Sequence, residues 1–194
     1  MTGGSAARGA RPSHARGPRH GRHRVSSRAS GECEMDPETI IVGLISDTHG
    51  LVRPEIAAAF AGVQLILHAG DVGGFAVLAK LATIARVEAV YGNVDDPHDP
   101  ALRAERVVTV GGVTIHVSHG HEFARPTPEL ALGRYRGDVV VFGHTHRALV
   151  VRDDAHRTAV NPGSAGPRRF DLQPSVARVT IRGGEADVEI ISLT

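Results

Sequence analysis

One pattern recurs along this chain: a run of apolar residues, typical of a buried strand, ends directly in a side chain that can bind a metal ion. In the first example, residues 39–49, the run TIIVGLIS is followed by Asp47 and His49. A continuous apolar run that ends in a polar turn predicts a strand buried on both faces. The chain is therefore expected to fold around a sheet whose strand ends carry polar groups.

The same pattern is found four more times. Asp71, Asn93 and His119 each follow a further apolar run, and His144 and His146 follow a fifth. Ligands of open α/β sheets bind outside the carboxyl ends of the strands, so we expect these residues to converge in one crevice. Imidazole and carboxylate without thiolate suit ions such as Zn, Mn, Fe or Ni. Seven candidates exceed one tetrahedral ion, which predicts two ions that share Asp71, roughly 3.5–4 Å apart.

The remaining histidines are interpreted one by one. His68 is expected to pack near the site without binding metal, and His121 is expected to lie beside it and contact the substrate. His116 alternates with the apolar residues of its strand, which predicts exposure to solvent. His156 is predicted to lie on a hairpin surface, and the role of His98 stays open.

The order of helix and strand patterns predicts an α/β fold. Helical segments follow the first two strands, and such alternation of strand and helix predicts a largely parallel sheet. The second half is predicted to be antiparallel, with a short helix from Pro128 to Tyr135 that is capped by Thr127. Hairpins are predicted around residues 111–112, 153–154 and 183–184. Two sheets packed as a sandwich with helices outside fit this order.

Residues 1–36 differ from the rest of the chain, and we call them the N-terminal arm. They are rich in Gly, Ser, Pro, Arg and His and nearly lack large apolar side chains, a composition that predicts disorder. Translation that starts at Met35 is an alternative that would remove nearly all of the arm. Residues 37–194 are predicted to form one domain.

Charge and composition limit the partners and the compartment. Residues 1–35 carry seven arginines against two glutamates, so the net charge of +1 for the chain leaves the remainder at −4. Nucleic-acid binding is therefore not expected, except weakly through the arm. There is one cysteine, Cys33, and no apolar run long enough to span a membrane, so we predict a cytoplasmic protein. A homo-oligomer formed through a sheet edge or a hairpin would be ordinary.

Taken in order, six short motifs resemble those of the calcineurin-like metallophosphoesterases, and most closely the small single-domain phosphodiesterases of the YfcE type. The motifs are DTH (47–49), GD (70–71), GN (92–93), HG (119–120), GHTH (143–146) and NPGS (161–164). The resemblance covers residues 39–193. It implies a four-layer β-sandwich of mixed parallel and antiparallel sheets, flanked by helices, with a binuclear site at the strand ends.

The resemblance also implies how the site is divided. One ion would be held by Asp47, His49, Asp71 and His146, and the other by Asp71, Asn93, His119 and His144. A hydroxide that bridges the two ions would be the nucleophile, because two cations lower the pKa of bound water toward about 7. Asp71, Asn93 and His121 are the expected catalytic residues. Manganese is the expected metal, with zinc, nickel, iron and magnesium as alternatives.

Val94 is a departure from many members of this superfamily, which have a histidine after the asparagine that protonates the leaving group. Loss of a positioned acid costs around 10²–10⁴-fold for substrates whose leaving group needs a proton. The expected activity is therefore hydrolysis of a small phosphodiester rather than a phosphomonoester. One alternative is a non-catalytic scaffold, because a retromer subunit has this fold, and a less favoured one is a nuclease that uses the arm.

Overall fold

The computed structural model describes residues 39–169 and 171–194. The predictions for the N-terminal arm and for a start at Met35 lie outside these residues. The strands are β1 (Ile40–Ile45), β2 (Leu65–Ala69), β3 (Arg86–Val90), β4 (Leu102–Arg103), β5 (Glu105–Val110), β6 (Val113–Ser118), β7 (Val139–Val141), β8 (Leu149–Arg152), β9 (Thr158–Asn161), β10 (Ser175–Arg182) and β11 (Glu185–Ser192). The helices are α1 (Glu55–Ala59), α2 (Phe75–Leu81) and α3 (Pro128–Arg134), and a 3-10 helix covers His121–Phe123.

The strands form two sheets. The first has the order β11-β10-β1-β2-β3-β4, in which β1 to β4 are parallel and β10 and β11 are antiparallel to their neighbours. The second has the order β5-β6-β7-β9-β8. The predicted hairpins β5–β6, β8–β9 and β10–β11 are all present.

The prediction of an antiparallel second half is wrong for the centre of the second sheet. There, β7 is parallel to both β6 and β9. The connection from β6 to β7 contains α3, and a crossover of this length returns the chain in the same direction, which a short hairpin turn cannot do.

Four layers follow from the packing. Apolar side chains of both sheets, such as Leu44 and Leu67 from the first and Ile115 and Val141 from the second, form one shared core. On its outer face the first sheet packs against α1 and α2, and the second sheet packs against α3. The expected helix-flanked sandwich of mixed sheets is thus confirmed. Among the described residues, no helix is long and apolar enough to cross a membrane.

His116 is buried, with 7% of its surface exposed, so the prediction of solvent exposure is wrong. Its ring lies 4.4 Å from that of Tyr135, measured between centroids. Its Nε2 lies 3.0 Å from Oε2 of Glu105, and its Nδ1 lies 3.2 Å from the carbonyl oxygen of Arg136. Strand β6 lies between β5 and β7. The end of α3 packs against the face of β6 that carries His116, so this face is not open to water.

Candidate metal centre

The carboxyl ends of β1, β2, β3, β6 and β7 meet at one edge of the sandwich. Backbone hydrogen bonds join the loops that leave these strands. The N–H of Asp47 donates to the carbonyl of Gly70 over 3.0 Å, and the N–H of Gly143 donates to the carbonyl of His119 over 3.0 Å. The first bond links two loops of the first sheet and the second links two loops of the second sheet. The loops therefore hold one another in place.

Four of the predicted ligands form a first cluster. Nε2 of His146 lies 3.2 Å from Oδ1 of Asp47 and 3.5 Å from Nε2 of His49. Nε2 of His49 in turn lies 3.8 Å from Oδ2 of Asp71. These residues are the set that the family resemblance implies for one ion.

The other predicted ligands form a second cluster around His119. Its Nε2 lies 3.2 Å from Oδ1 of Asn93 and 3.5 Å from Oδ1 of Asp71. The ring of His144 packs edge-on against that of His119, with 5.2 Å between centroids. The structure thus brings all seven predicted ligands to one edge of the molecule, while their role in metal binding stays a prediction.

Unpaired buried atoms test whether these residues suit a cation. Asp47 is fully buried, and its Oδ2 accepts hydrogen bonds from Oγ of Ser46 (2.6 Å) and from the N–H of His144 (3.2 Å). Its Oδ1 faces the first cluster, where Nε2 of His146 lies 3.2 Å away without hydrogen-bond geometry, so this oxygen has no well-formed hydrogen bond among the described residues. A buried carboxylate oxygen without a partner is costly, and a divalent ion would satisfy it. Burial raises the pKa of Asp47, but neighbouring His146 and His119 outweigh that effect and lower it.

The tautomer of His119 also suits a cation. Its Nδ1 lies 2.7 Å from the carbonyl oxygen of Ala69, and a carbonyl can only accept, so Nδ1 carries the proton. The lone pair of Nε2 is then directed at Asn93 and Asp71. A hydrogen bond from the ring nitrogen that does not bind the metal commonly orients metal-binding histidines. The donor set and its orientation therefore fit divalent ions.

Five of the seven candidate ligands have a backbone that is unfavourable for residues other than glycine. The φ angles of Asp47, His49, Asp71, His144 and His146 lie between 46° and 67°. A residue held in this left-handed region costs about 1–3 kcal/mol, and such strain is concentrated at functional sites. The surrounding hydrogen bonds must therefore hold these loops against their own preference.

The NPGS motif supplies part of that support. The side-chain amide of Asn161 donates to the carbonyl of Gly143 (2.8 Å) and to Oγ1 of Thr145 (3.0 Å). Oγ of Ser164 donates to the carbonyl of Asp47 over 2.9 Å. One segment thus braces both the GHTH loop and the first candidate ligand.

Asp95 braces the neighbouring loops of the first sheet. Its carboxylate accepts hydrogen bonds from the N–H groups of Gly92 (2.9 Å), Val72 (3.0 Å) and Gly73 (2.9 Å). Burial raises the pKa of Asp95, but these three bonds outweigh it and lower the pKa below the ordinary value. The carboxylate of Asp95 therefore ties together the loops that leave β2 and β3.

His68 is fully buried beside the centre, as predicted. Its Nε2 lies 2.9 Å from Oγ1 of Thr48, and the same hydroxyl donates to the carbonyl of Val72 over 2.8 Å. The hydroxyl proton is used in that bond, so Nε2 of His68 is the donor. Burial lowers the pKa of His68 to about 4, so its ring is neutral near pH 7.

We predict that His68 makes the protein less stable in mild acid. The unfolded chain binds a proton near pH 6.5 and the folded chain only near pH 4, so the free energy of unfolding falls as the pH drops through that window. From pH 7.5 to pH 5 the loss is about 2 kcal/mol, at 1.36 kcal/mol per pH unit. Urea unfolding in EDTA at both pH values should show this loss in the wild type. The change in the free energy of unfolding between the two pH values should be smaller by that amount in His68→Gln. His156→Gln, at an exposed position, is the control, and equal losses in wild type and His68→Gln would contradict the prediction.

His121 lies beside the second cluster, as the sequence suggested. Its ring centroid is 5.4 Å from that of His119 and 6.2 Å from that of Tyr91. Burial lowers the pKa of His121, and His119 adds to this effect. His98 is different, since it lies in an exposed loop where its N–H donates to Oδ1 of Asp96.

Sequence reasoning missed Arg169. Its Nη2 lies 3.4 Å from Nε2 of His49, so a guanidinium stands at the edge of the first cluster. The signal that could have found it is the pair Arg168-Arg169, which follows the NPGS motif within a few residues.

Two stacked sheets flanked by helices, with carboxylates and imidazoles gathered at the strand ends, define an α/β sandwich protein with a candidate metal centre. Residues 40–184 match the calcineurin-like phosphoesterase superfamily domain. The chain belongs to this family, whose members depend on metal ions.

Similar proteins agree with this assignment. A "probable metallophosphoesterase" of Methanothermobacter thermautotrophicus is 37% identical over 164 residues, which cover 78% of this chain and 92% of that protein. A protein of Methanocaldococcus jannaschii that is named a phosphodiesterase is 28% identical, over 63% of this chain and 82% of its own length. In fold, the chain resembles vacuolar protein sorting 29 of Cryptosporidium parvum, with a TM-score of 0.67 and 22% identity over 80% of this chain and 98% of that one.

Proposed function

We propose that this protein is a binuclear metal-dependent phosphodiesterase that hydrolyses a small phosphodiester. The observation that supports it most strongly is the orientation of Asp71. Its Oδ2 faces His49 in the first cluster and its Oδ1 faces His119 in the second, which is the arrangement of a carboxylate shared by two ions. The likeness to a protein named a phosphodiesterase supports the same reaction.

Each residue has a distinct part in this proposal. Asp47, His49 and His146 would hold one ion with Asp71, and Asn93, His119 and His144 would hold the other. When bound, the ions would activate water as the nucleophile and stabilise charge on the phosphoryl oxygens. Arg169 places a guanidinium at the same edge, and its planar fork suits phosphate oxygens.

The residue that follows Asn93 supports a diester rather than a monoester as the substrate. Val94 is 58% exposed, and its backbone N–H donates to Oδ1 of Asp71 over 3.1 Å, so the position after Asn93 adjoins the proposed bridge and carries an aliphatic side chain. It offers no proton to a leaving alkoxide. His121, whose ring centroid lies 5.4 Å from that of His119, is the proposed contact with the substrate. The expected substrates are diesters whose leaving group departs without an acid.

A metal and activity panel tests the proposal. The purified protein is analysed for bound metals, and its turnover of bis(4-nitrophenyl) phosphate and 4-nitrophenyl phosphate is measured with Mn²⁺, Zn²⁺, Ni²⁺, Fe²⁺ and Mg²⁺. We expect two ions per chain, highest activity with Mn²⁺ and preference for the diester. Absence of turnover with every ion, in protein shown to bind them, would rule the proposal out.

Restoring an acid at position 94 gives a second test. Val94→His places an imidazole next to Asn93, at an exposed position where it has room. Turnover of an alkyl phosphomonoester, such as glycerol 2-phosphate, should rise by about 10²-fold, since a positioned acid contributes at least that much. Val94→Gln, which cannot protonate an alkoxide, is the control, and an equal rise in both variants would show that the acid is not the cause.

The alternative of a non-catalytic scaffold stays a hypothesis. The fold does not decide between the two, whereas retention of seven candidate ligands with the orientation of a metal centre favours an enzyme. A partner protein whose binding survives Asp71→Ala, in a chain without activity toward any diester, would favour the scaffold.

Weak nucleic-acid binding by the N-terminal arm, self-association and the cytoplasmic location likewise stay predictions.

A further inference from the structure

A cleft of about 590 Å³ adjoins the metal centre on the side of His144. It is lined by residues of the segments 124–128 and 144–149, and it includes Arg125, Thr145 and Arg147 as well as His144. Its size lies within the range of roughly 300–1,000 Å³ that is usual for small-molecule sites. Because His144 both lines the cleft and belongs to the second cluster, a substrate bound at that cluster has room to extend into the cleft.

The cleft is positively charged. Arg125 and Arg147 are both exposed, and no carboxylate lines the cleft in the described part of the chain. The ion pairs that arginine forms elsewhere in the described residues belong to Arg86, Arg106 and Arg157. The cleft thus holds two guanidinium groups and no acid, although the sequence outside residues 1–35 is net negative.

The polar neighbours leave the cleft suited to an anion. Glu129 follows the lining residue Pro128 in the chain but does not itself line the cleft. Hydrogen bonding to its own N–H and to Thr127 lowers its pKa. Its carboxylate is therefore ionised near pH 7, and the two arginines still leave the cleft with a net positive charge. Oγ1 of Thr145 accepts a hydrogen bond from Asn161, so its own proton can be donated to a ligand.

We propose that this arginine cleft, defined by Arg125, Thr145 and Arg147, binds a second phosphate group of the substrate. The substrate class is then a phosphodiester that carries an additional terminal phosphate on the part beyond the scissile bond. Guanidinium forks match phosphate oxygens with paired, charge-assisted hydrogen bonds, and the hydroxyl adds a third donor group. This inference rests on the proposed diesterase function, and it specifies which diesters the site prefers.

Kinetics with a matched pair of esters test the preference. Thymidine 5′-(4-nitrophenyl phosphate) is compared with the same ester carrying a 3′-phosphate, so that the substrates differ only in the added anion. We expect kcat/KM to be at least about tenfold higher for the phosphorylated ester, since one hydrogen bond to a charged group is worth about that much. In Arg125→Gln/Arg147→Gln the ratio should fall to about one.

Binding without turnover provides a separate readout. Calorimetry in EDTA compares thymidine 3′,5′-bisphosphate with thymidine 5′-monophosphate. The bisphosphate should bind at least about tenfold more tightly than the monophosphate to the wild type, and Arg125→Gln/Arg147→Gln should lose this difference. Arg152→Gln is the matched control, because Arg152 is an exposed arginine at the far end of β8 that does not line the cleft. It should keep both the kinetic and the binding preference.

The two hypotheses fail in different ways. If both esters are hydrolysed with equal kcat/KM and the bisphosphate binds no more tightly, the cleft proposal is wrong and the diesterase proposal stands. If neither ester is hydrolysed by metal-loaded protein but the bisphosphate binds through the two arginines, the diesterase proposal is wrong and the cleft is still a phosphate site. A preference that persists in the double variant would place the phosphate elsewhere and overturn the inference.

Discussion

Replacing Asp71 by asparagine is expected to abolish diester hydrolysis, with kcat/KM lower by at least about 10³-fold, or about 4 kcal/mol in transition-state stabilisation. The two carboxylate oxygens of Asp71 face different clusters, so the substitution removes negative charge from both candidate ion sites at once. Elemental analysis after desalting should show that both ions are depleted, since the shared ligand is weakened for each.

A nearby carboxylate provides the matched control for this prediction. Asp96 is exposed, and its Oδ1 accepts from the N–H of His98, a bond that asparagine can also form. Asp96→Asn should therefore retain the metal content and activity of the wild type. Full metal occupancy in Asp71→Asn, or loss of only one ion with activity intact, would contradict the bridging role.

Gly92→Ala is expected to have the second largest effect, although it adds one methyl group. A Cβ at position 92 would overlap Oδ1 and the backbone nitrogen of Asp71, and it would lie 2.8 Å from Cγ. Either the strand ends separate or Asp71 turns away from the clusters. Overpacking of this kind costs about 1–3 kcal/mol in the free energy of unfolding. Displacement of a catalytic group by about 1 Å can cost 10²-fold in activity, so we expect kcat/KM to fall by about that factor.

Gly133→Ala is the control for this substitution. Gly133 lies in α3, and a Cβ there would meet no heavy atom within 4 Å apart from its chain neighbours and the backbone of its own helix. Alanine is favoured over glycine in a helix by up to about 1 kcal/mol, so this variant should be as stable as the wild type or more so, with unchanged metal content. Thermal unfolding compares the stability of the two variants, and elemental analysis compares their metal content. If Gly92→Ala retains both ions, the close approach of Asp71 is not needed for the site.

The candidate ligands could be found in the sequence because each one directly follows a buried apolar run. Strand ends of a parallel arrangement meet at one edge, and this alone predicts that Asp47, Asp71 and Asn93 lie near one another. The same reasoning predicts that His119 and His144, which lie at the ends of β6 and β7 in the second sheet, converge in the same crevice. Pattern reasoning of this kind depends only on local hydrophobicity and on a general property of sheets.

Other features could not be read from local patterns. His116 was expected to be exposed because it alternates with apolar residues, yet α3 covers that face of the second sheet. Its burial depends on which element packs there, and periodicity along one strand does not report that. The arginine cleft is a similar case, because Arg125 and Arg147 are 22 positions apart and become neighbours of one cavity only in the folded chain.

The class of fold, the order of the candidate metal-binding motifs and the absence of an acid at Val94 can all be read from the sequence. Three other features are visible only in the folded chain: the two oxygens of Asp71 face different clusters, five candidate ligands have positive φ angles, and two arginines share a cleft beside His144. Apolar runs and motifs are local properties, which composition and spacing encode directly. Side-chain orientation, backbone strain and shared cavities depend on contacts between residues far apart in the chain, and these contacts exist only after the two sheets have packed together.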